Sequence, residues 1–287
     1  MEPGAAFEER TYHAQDGRRL YYRDYGDPLS TPTPLLCLSG LTRNCKDFDR
    51  MARRLAASRR VVCPDYRGRG RSDYDNDWRS YTPRATLADV RQLMIAADLH
   101  HVVICGVSFG GLLAMALSII APTALVGVIL NDVGPDVSAD GKERILDYIG
   151  RDHPQPDWPT AIAEMRRNFP YLSHETEEDW RLFTEASFRE GTDGQLHVNY
   201  DINLVRPFRA PEEEEDIWCL FGGLRHVPVL AIRGGESDVL SAATLARMAE
   251  VKPDLAHLTL PGIGHTPSLN EAESERAIDD FLLRVDG

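Results

Sequence analysis

"HVVICGVSFGGLLAMALSIIA" fills residues 101–121 and sets one hydroxyl, Ser108, between glycines in an otherwise apolar run. "HVVICGVS" reads as a buried strand and "FGGLLAMALSII" as the helix that follows it. A strand that turns directly into a helix at Gly-x-Ser-x-Gly is the setting of a nucleophile elbow, whose sharp turn lifts the serine above the carboxyl edge of the sheet. Gly106 and Gly110, with Gly111 behind, leave the clearance that such a turn needs. Ligands of open α/β sheets bind along that edge. The plain alternative is a Gly-rich turn in which Ser108 only caps the helix, so residues able to activate the hydroxyl must decide between them.

Outward from this stretch, short apolar runs alternate with amphipathic ones. "FEERTYHA" and "RRLYYRDYG" form a hairpin around Asp16-Gly17, "PLLCLSG" and "RRVVCPD" are strands, and "DFDRMARRLAAS" and "TLADVRQLMIAADL" are helices. "LVGVILNDVG" is a further strand. From Pro135 to Gly223 the strand runs stop and the pattern turns helical, with aromatics and proline breaks. "VPVLAIRGG", "SAATLARMAEV", "LAHLTLPG" and "EAESERAIDDFLLRV" then resume strand, helix, strand, helix. The order predicts an α/β fold with a mostly parallel, eight-stranded sheet between helical layers. Residues 1–134 and 224–287 form its core, and residues 135–223 read as an insertion that is helical in pattern. The acidic "EEEED" at 212–216 reads as a solvated helix start.

Composition narrows the chemistry. The length of 287 residues suits one large domain with an insertion, and the formal net charge of −13 argues against a binder of nucleic-acid phosphates. Cys37, Cys63 and Cys105, three of the five cysteines, sit inside apolar runs and read as reduced core residues. The N-terminal stretch lacks a basic and an apolar signal region, and no run approaches the roughly 18 apolar residues of a membrane span. A cytoplasmic protein with no membrane partner is expected. No His or Cys pair has zinc-ligand spacing. "GGLRHVPVLAIRGG" lacks the glycine order and ribose acid of a dinucleotide loop. No metal and no cofactor is implied, and the partner is a small-molecule substrate.

A serine hydroxyl is a weak nucleophile and needs a base, which in turn needs an orienting acid. Among nine histidines, His265 in "LPGIGHTPSL" follows the last strand at the carboxyl edge. His100 and His101 lie at the opposite strand end, and His153, His174 and His197 fall in the insertion. Two acids follow strands: Asp238, after "VPVLAIRGGES", and Asp132, after "LVGVILN". Asp238 is preferred, with Asp132 as a structural or pocket residue. The oxyanion donors are the Phe109 amide, directly after the nucleophile, and the Leu41 amide in "LSGLTRN".

"GVSFGG", "PDYRGRGRSD" at 64–73, "RGGESDVL" at 233–240 and "GIGHTP" at 262–267 together resemble the α/β-hydrolase superfamily over essentially the whole chain. The likeness is to small bacterial esterases, enol-lactonases and meta-cleavage hydrolases with a helical cap. It implies a triad of Ser108, Asp238 and His265, a cap at 135–223, and a structural role behind the nucleophile for Asp65, Arg67, Gly68, Gly70 and Ser72. This chain has Ser39-Gly40 where many members have His-Gly. Ser108 excludes the subclasses of this fold that use an aspartate nucleophile. The expected activity is serine-dependent hydrolysis of a carboxylic ester or lactone of small to medium hydrophobic substrates. Hydrolysis of a carbon–carbon bond in a vinylogous diketone is the alternative within enzymes, and a non-hydrolytic ligand receptor is the minor one. Gly40, Asp132, Trp158 and Trp218 are the candidate pocket residues, and most cap aromatics are expected to form the cap's own core.

Overall fold

A computed structural model of the chain describes residues 7–136, 146–173, 176–209 and 216–287. His174 and the first four residues of "EEEED" lie outside them. Among the described residues there are ten strands: β1 (Phe7–His13), β2 (Arg19–Tyr25), β3 (Leu35–Leu38), β4 (Val61–Pro64), β5 (Val102–Val107), β6 (Leu125–Asn131), β7 (Phe188–Glu190), β8 (Leu196–Val198), β9 (Val229–Gly234) and β10 (Ala256–Leu260). Eight of them form one sheet in the order β1-β2-β4-β3-β5-β6-β9-β10. From β4 to β10 every pairing is parallel, while β2 runs antiparallel to β1 and to β4.

The central strands are apolar throughout because both faces are covered. Alternate residues supply two cores. On one face Leu36, Leu38, Ile104, Val128 and Leu130 pack with Val90, Leu93 and Leu113, from helices α2 (Pro83–Ala96) and α3 (Phe109–Ile120). On the other, Leu35, Cys37, Val103, Cys105 and Ile129 pack with Met51 and Leu55 of α1 (Asp49–Leu55) and with Ile278, Phe281 and Leu282 of the C-terminal helix. The five cysteines are free thiols, and four of them are buried. Helix α2 begins ahead of Thr86, the start expected from "TLADVRQLMIAADL", with Pro83 in its first turn and the Thr82 side chain accepting from the Ala85 N–H.

β6 and β9 are neighbours in the sheet but far apart in sequence, so the segment between them is an insertion at the carboxyl edge. Its helices include Trp158–Asn168 and Glu177–Ser187. It is not wholly helical as expected: β7 and β8 form an antiparallel hairpin. Trp180, Phe188, Met165, Leu196 and Tyr200 are buried in a third cluster against which Trp158, Phe169 and Phe183 pack. Trp218 and Phe221 join the main core instead, and Tyr171 is exposed.

Candidate active site

Ser108 sits in the turn between β5 and α3 with φ 50° and ψ −113°, a left-handed conformation that an L-residue adopts only when its surroundings force it. The surroundings are tight enough to do so. A Cβ on Gly110 would lie 2.0 Å from the Leu38 carbonyl oxygen, and one on Gly106 2.6 Å from the Gly110 backbone. The Ser108 N–H donates to the Asn131 carbonyl at 3.1 Å, which ties the elbow to the end of β6.

Val107 and Asn131 are register partners on adjacent strands, so Ser108 and Asp132 leave neighbouring strand ends side by side. Asp132 is fully buried, with φ 53°. Its Oδ1 accepts from the Gly234 N–H at 2.9 Å and its Oδ2 from the Ser237 hydroxyl at 2.5 Å. The same Oδ2 stands 2.6 Å from His265 Nδ1. With Nδ1–H donating to the carboxylate, Nε2 is left as the basic nitrogen of the neutral ring.

The expectation that Asp238 orients His265 is therefore not met. Asp238 is exposed in the loop after β9, and the residue of that loop that reaches the site is Ser237, through its bond to Asp132. A buried carboxylate already held by two donors costs little further ordering to face an imidazole. The signal for Asp132 was its position one strand over from the elbow. Sequence proximity to a strand end could not separate it from Asp238.

The other histidines with side-chain partners are occupied elsewhere. His100 pairs with Asp98 on the surface, and His197 pairs with Asp152 and Asp193, whose hydrogen bonds hold its pKa above the ordinary value.

The two expected oxyanion donors are backbone N–H groups on either side of the elbow. Phe109 is the first residue of α3, where an N–H has no intrahelical acceptor. In the loop after β3, Gly40 O accepts from the Arg43 N–H at 3.1 Å and Leu41 O from Arg69 Nε at 2.8 Å. Ser39 is buried and donates from its hydroxyl to the Arg43 carbonyl at 3.1 Å. The 65–73 loop is held from within: Asp65 accepts from the Cys45 and Arg71 N–H groups, Arg67 pairs with Asp89, and Ser72 donates to the Asp65 carbonyl.

Of the expected pocket tryptophans, Trp158 lines a cleft of about 470 Å³ together with Asp65, Arg71 and Phe188, and none of Ser108, Asp132 or His265 borders it. Trp218 donates from Nε1 to Asp136 at 2.8 Å and stacks under Arg247. The insertion instead reaches the elbow through Phe208, whose ring meets that of Phe109 edge-on at 5.9 Å. The sequence reading did not single out Phe208. Among the described residues no group of three or more His, Cys, Asp or Glu side chains could hold a metal, and no helix is long and apolar enough to cross a membrane.

Residues 35–279 match the sequence profile of the alpha/beta hydrolase family. The chain belongs to that family. An alpha/beta hydrolase from Novosphingobium aromaticivorans shares 39% identity and superimposes with a TM-score of 0.92, over 98% of this chain and 99% of that one. The 3-hydroxybutyrate-oligomer hydrolase of Cupriavidus necator is 34% identical over 259 residues, 87% of this chain and 88% of its own length. More distant, the 2-(acetamidomethylene)succinate hydrolase of Mesorhizobium japonicum is 22% identical over 254 residues, 86% of this chain and 87% of its own length. The protein is a hydrolase of the alpha/beta family.

Proposed function

We propose that this alpha/beta hydrolase cleaves carboxylic esters of small to medium hydrophobic acids through an acyl-enzyme on Ser108. The observation that carries the reading is the 2.6 Å approach of buried Asp132 to His265 beside a strained serine. His265 Nε2 takes the hydroxyl proton as Ser108 Oγ attacks the ester carbonyl. The Phe109 and Leu41 N–H groups donate hydrogen bonds to the carbonyl oxygen as negative charge develops on it. The imidazolium then gives its proton to the departing alkoxide, the ester C–O bond breaks, and Ser108 is left acylated. Water, deprotonated by the same ring, attacks the acyl carbon; the bond from that carbon to Ser108 Oγ then breaks, Oγ takes the proton back from the imidazolium, and the acid leaves. Asp132 keeps the imidazole in the required tautomer throughout and stabilises its cationic form. Ester-oligomer hydrolysis by the Cupriavidus relative favours an ester, of which short hydroxy-acid oligomers are one kind, over a carbon–carbon bond.

Two measurements test the reading. A fluorophosphonate should label wild-type protein at Ser108, identified by peptide mass spectrometry, and Ser108→Ala should abolish both labelling and p-nitrophenyl ester hydrolysis in a folded protein. Labelling at another serine would overturn it.

A further inference from the structure

Arg69 is fully buried, yet its guanidinium faces no carboxylate of the described residues. Arg59, Arg60 and Arg67, also buried, each meet one: Asp286, Asp24 and Asp89. The two hydrogen bonds of its side chain among the described residues go to carbonyl oxygens instead, from Nε to Leu41 at 2.8 Å and from Nη1 to Arg67 at 2.7 Å. Nη2 has no hydrogen-bond partner among the described residues. Burial pushes the pKa of Arg69 down to about 10, so it still carries its charge at neutral pH. An uncompensated cation in the interior is costly, and a fold keeps one where its field is used.

Its position says where that is. The loop that offers the Leu41 amide has three successive carbonyls held from behind: Ser39 O by the Tyr66 hydroxyl at 3.2 Å, Gly40 O by the Arg43 N–H, and Leu41 O by Arg69. The N–H of Leu41 belongs to the Gly40–Leu41 peptide and points opposite to the Gly40 carbonyl, so fixing these carbonyls fixes the donor. Arg69 also lies over the Tyr66 ring, 5.6 Å from its centroid, and Tyr66 meets Phe109 edge-on at 6.0 Å. The residues that carry both oxyanion donors are thus braced by the same pair.

We infer that Arg69 is the positioning residue of the oxyanion hole: through the Leu41 carbonyl it holds the Leu41–Thr42 peptide, directly after the peptide that carries the Leu41 N–H, and it supplies positive potential from a site closed to water. A preorganised donor and a fixed charge in a low-dielectric site stabilise an oxyanion more than they stabilise a neutral carbonyl. The effect falls on kcat more than on KM. The inference rests on the acyl-enzyme reading of Ser108.

The test compares Arg69→Met, which fills similar space without charge or donors, with Arg69→Lys, which keeps the cation and loses the fork. On p-nitrophenyl acetate the Met variant should lose ~100-fold in kcat with KM within about threefold, the range seen when an oxyanion donor is removed. The Lys variant should recover part of that loss. Phenylboronic acid, which captures the serine as a charged tetrahedral adduct, should bind each variant more weakly by a factor that tracks the loss in kcat, which a merely structural role would not produce. Wild-type kcat in Arg69→Met, or a loss confined to KM, overturns the inference. Should the Met variant not fold, the Lys variant decides: matched losses in kcat and boronate affinity support the inference, and wild-type values of both overturn it. Fluorophosphonate labelling separates this from the reading beneath it. A labelled wild type with unaffected Arg69 variants overturns the inference alone, whereas an unlabelled wild type overturns both.

Discussion

Asn131 Nδ2 donates to the carbonyl oxygen of Pro267 at 2.9 Å, so the strand end that carries Asp132 also holds the loop that carries His265. Asn131 is buried, and its backbone carbonyl accepts from the Ser108 N–H. One residue therefore ties the nucleophile's turn, the acid and the histidine loop together. Asn131→Ala should leave the Pro267 carbonyl buried and unpaired, at a cost of ~1–3 kcal/mol in urea unfolding. It should also lower kcat by displacing the imidazole, with KM little changed. Wild-type kcat in a destabilised variant would show that the loop is held by other contacts.

The two acids can be ranked directly. Asp132→Asn should cut kcat by ~10⁴ at neutral pH, as loss of the orienting carboxylate does in the serine-protease example. Asp238→Asn should stay within a few-fold of wild type. Steady-state kinetics on one p-nitrophenyl ester settles the matter, and the reverse order would return the role to Asp238.

Strain at the elbow predicts a conflict between stability and activity. Ser108 at φ 50° carries a Cβ where only glycine is comfortable. Ser108→Gly should therefore be more stable than Ser108→Ala by ~1 kcal/mol in denaturant unfolding, although both lack the nucleophile. Equal stabilities would mean that the turn is relaxed in solution.

Much of this was legible in the sequence, because local pattern and local chemistry agree there. The passage from "HVVICGVS" to "FGGLL" fixes strand, turn and helix by apolar runs and by glycines that have no space for a side chain. His265 could be preferred over His100 and His101, at the wrong strand end, and over His153, His174 and His197, in the insertion. The choice between Asp132 and Asp238 was not local: both follow strands, and only the register of β5 on β6 shows which acid stands beside Ser108. The β7–β8 hairpin escaped notice since its strands are three residues each. Its one signal was Asp193-Gly194, a turn pair whose glycine adopts φ 80°. Arg69 was hidden inside the 65–73 motif, where composition says nothing about which arginine meets a carboxylate.

Acid should loosen the histidine loop through Glu271. Its Oε1 accepts from the Ser268 N–H at 2.7 Å and the Ser268 hydroxyl at 2.9 Å, and the Ser173 hydroxyl of the insertion donates to it as well. Burial alone would raise its pKa, but the hydrogen bonds from Ser173 and Ser268 outweigh that and hold it below the ordinary 4.5. A carboxyl whose folded pKa is depressed adds stability that is fully present above its unfolded pKa and is lost as pH falls through the folded one. The stability gap between wild type and Glu271→Gln should thus be constant from neutral pH down to about 5, and should close below the pKa of an unfolded glutamate. Urea midpoints measured from pH 3 to 7 check this. A gap that persists at the acid end would mean that Glu271 acts through packing alone.

Acyl-chain preference should be set by Phe208. Its ring stands edge-on to Phe109 at 5.9 Å, so the insertion brings an apolar wall against the residue that follows the nucleophile. Pockets of this kind are mostly apolar and bounded. Each methylene that still fits removes apolar surface from water, worth about 0.8 kcal/mol or about fourfold in kcat/KM. The gain ends when the chain meets the wall. On p-nitrophenyl esters kcat/KM should therefore climb to a short or medium chain and then fall sharply. Phe208→Ala removes the wall without touching Ser108, Asp132 or His265, and should move the maximum to longer chains while leaving acetate hydrolysis within a few-fold. A wild-type maximum at palmitate would mean an open groove over the elbow. An unmoved maximum in the variant would mean that some other residue of the insertion bounds the pocket.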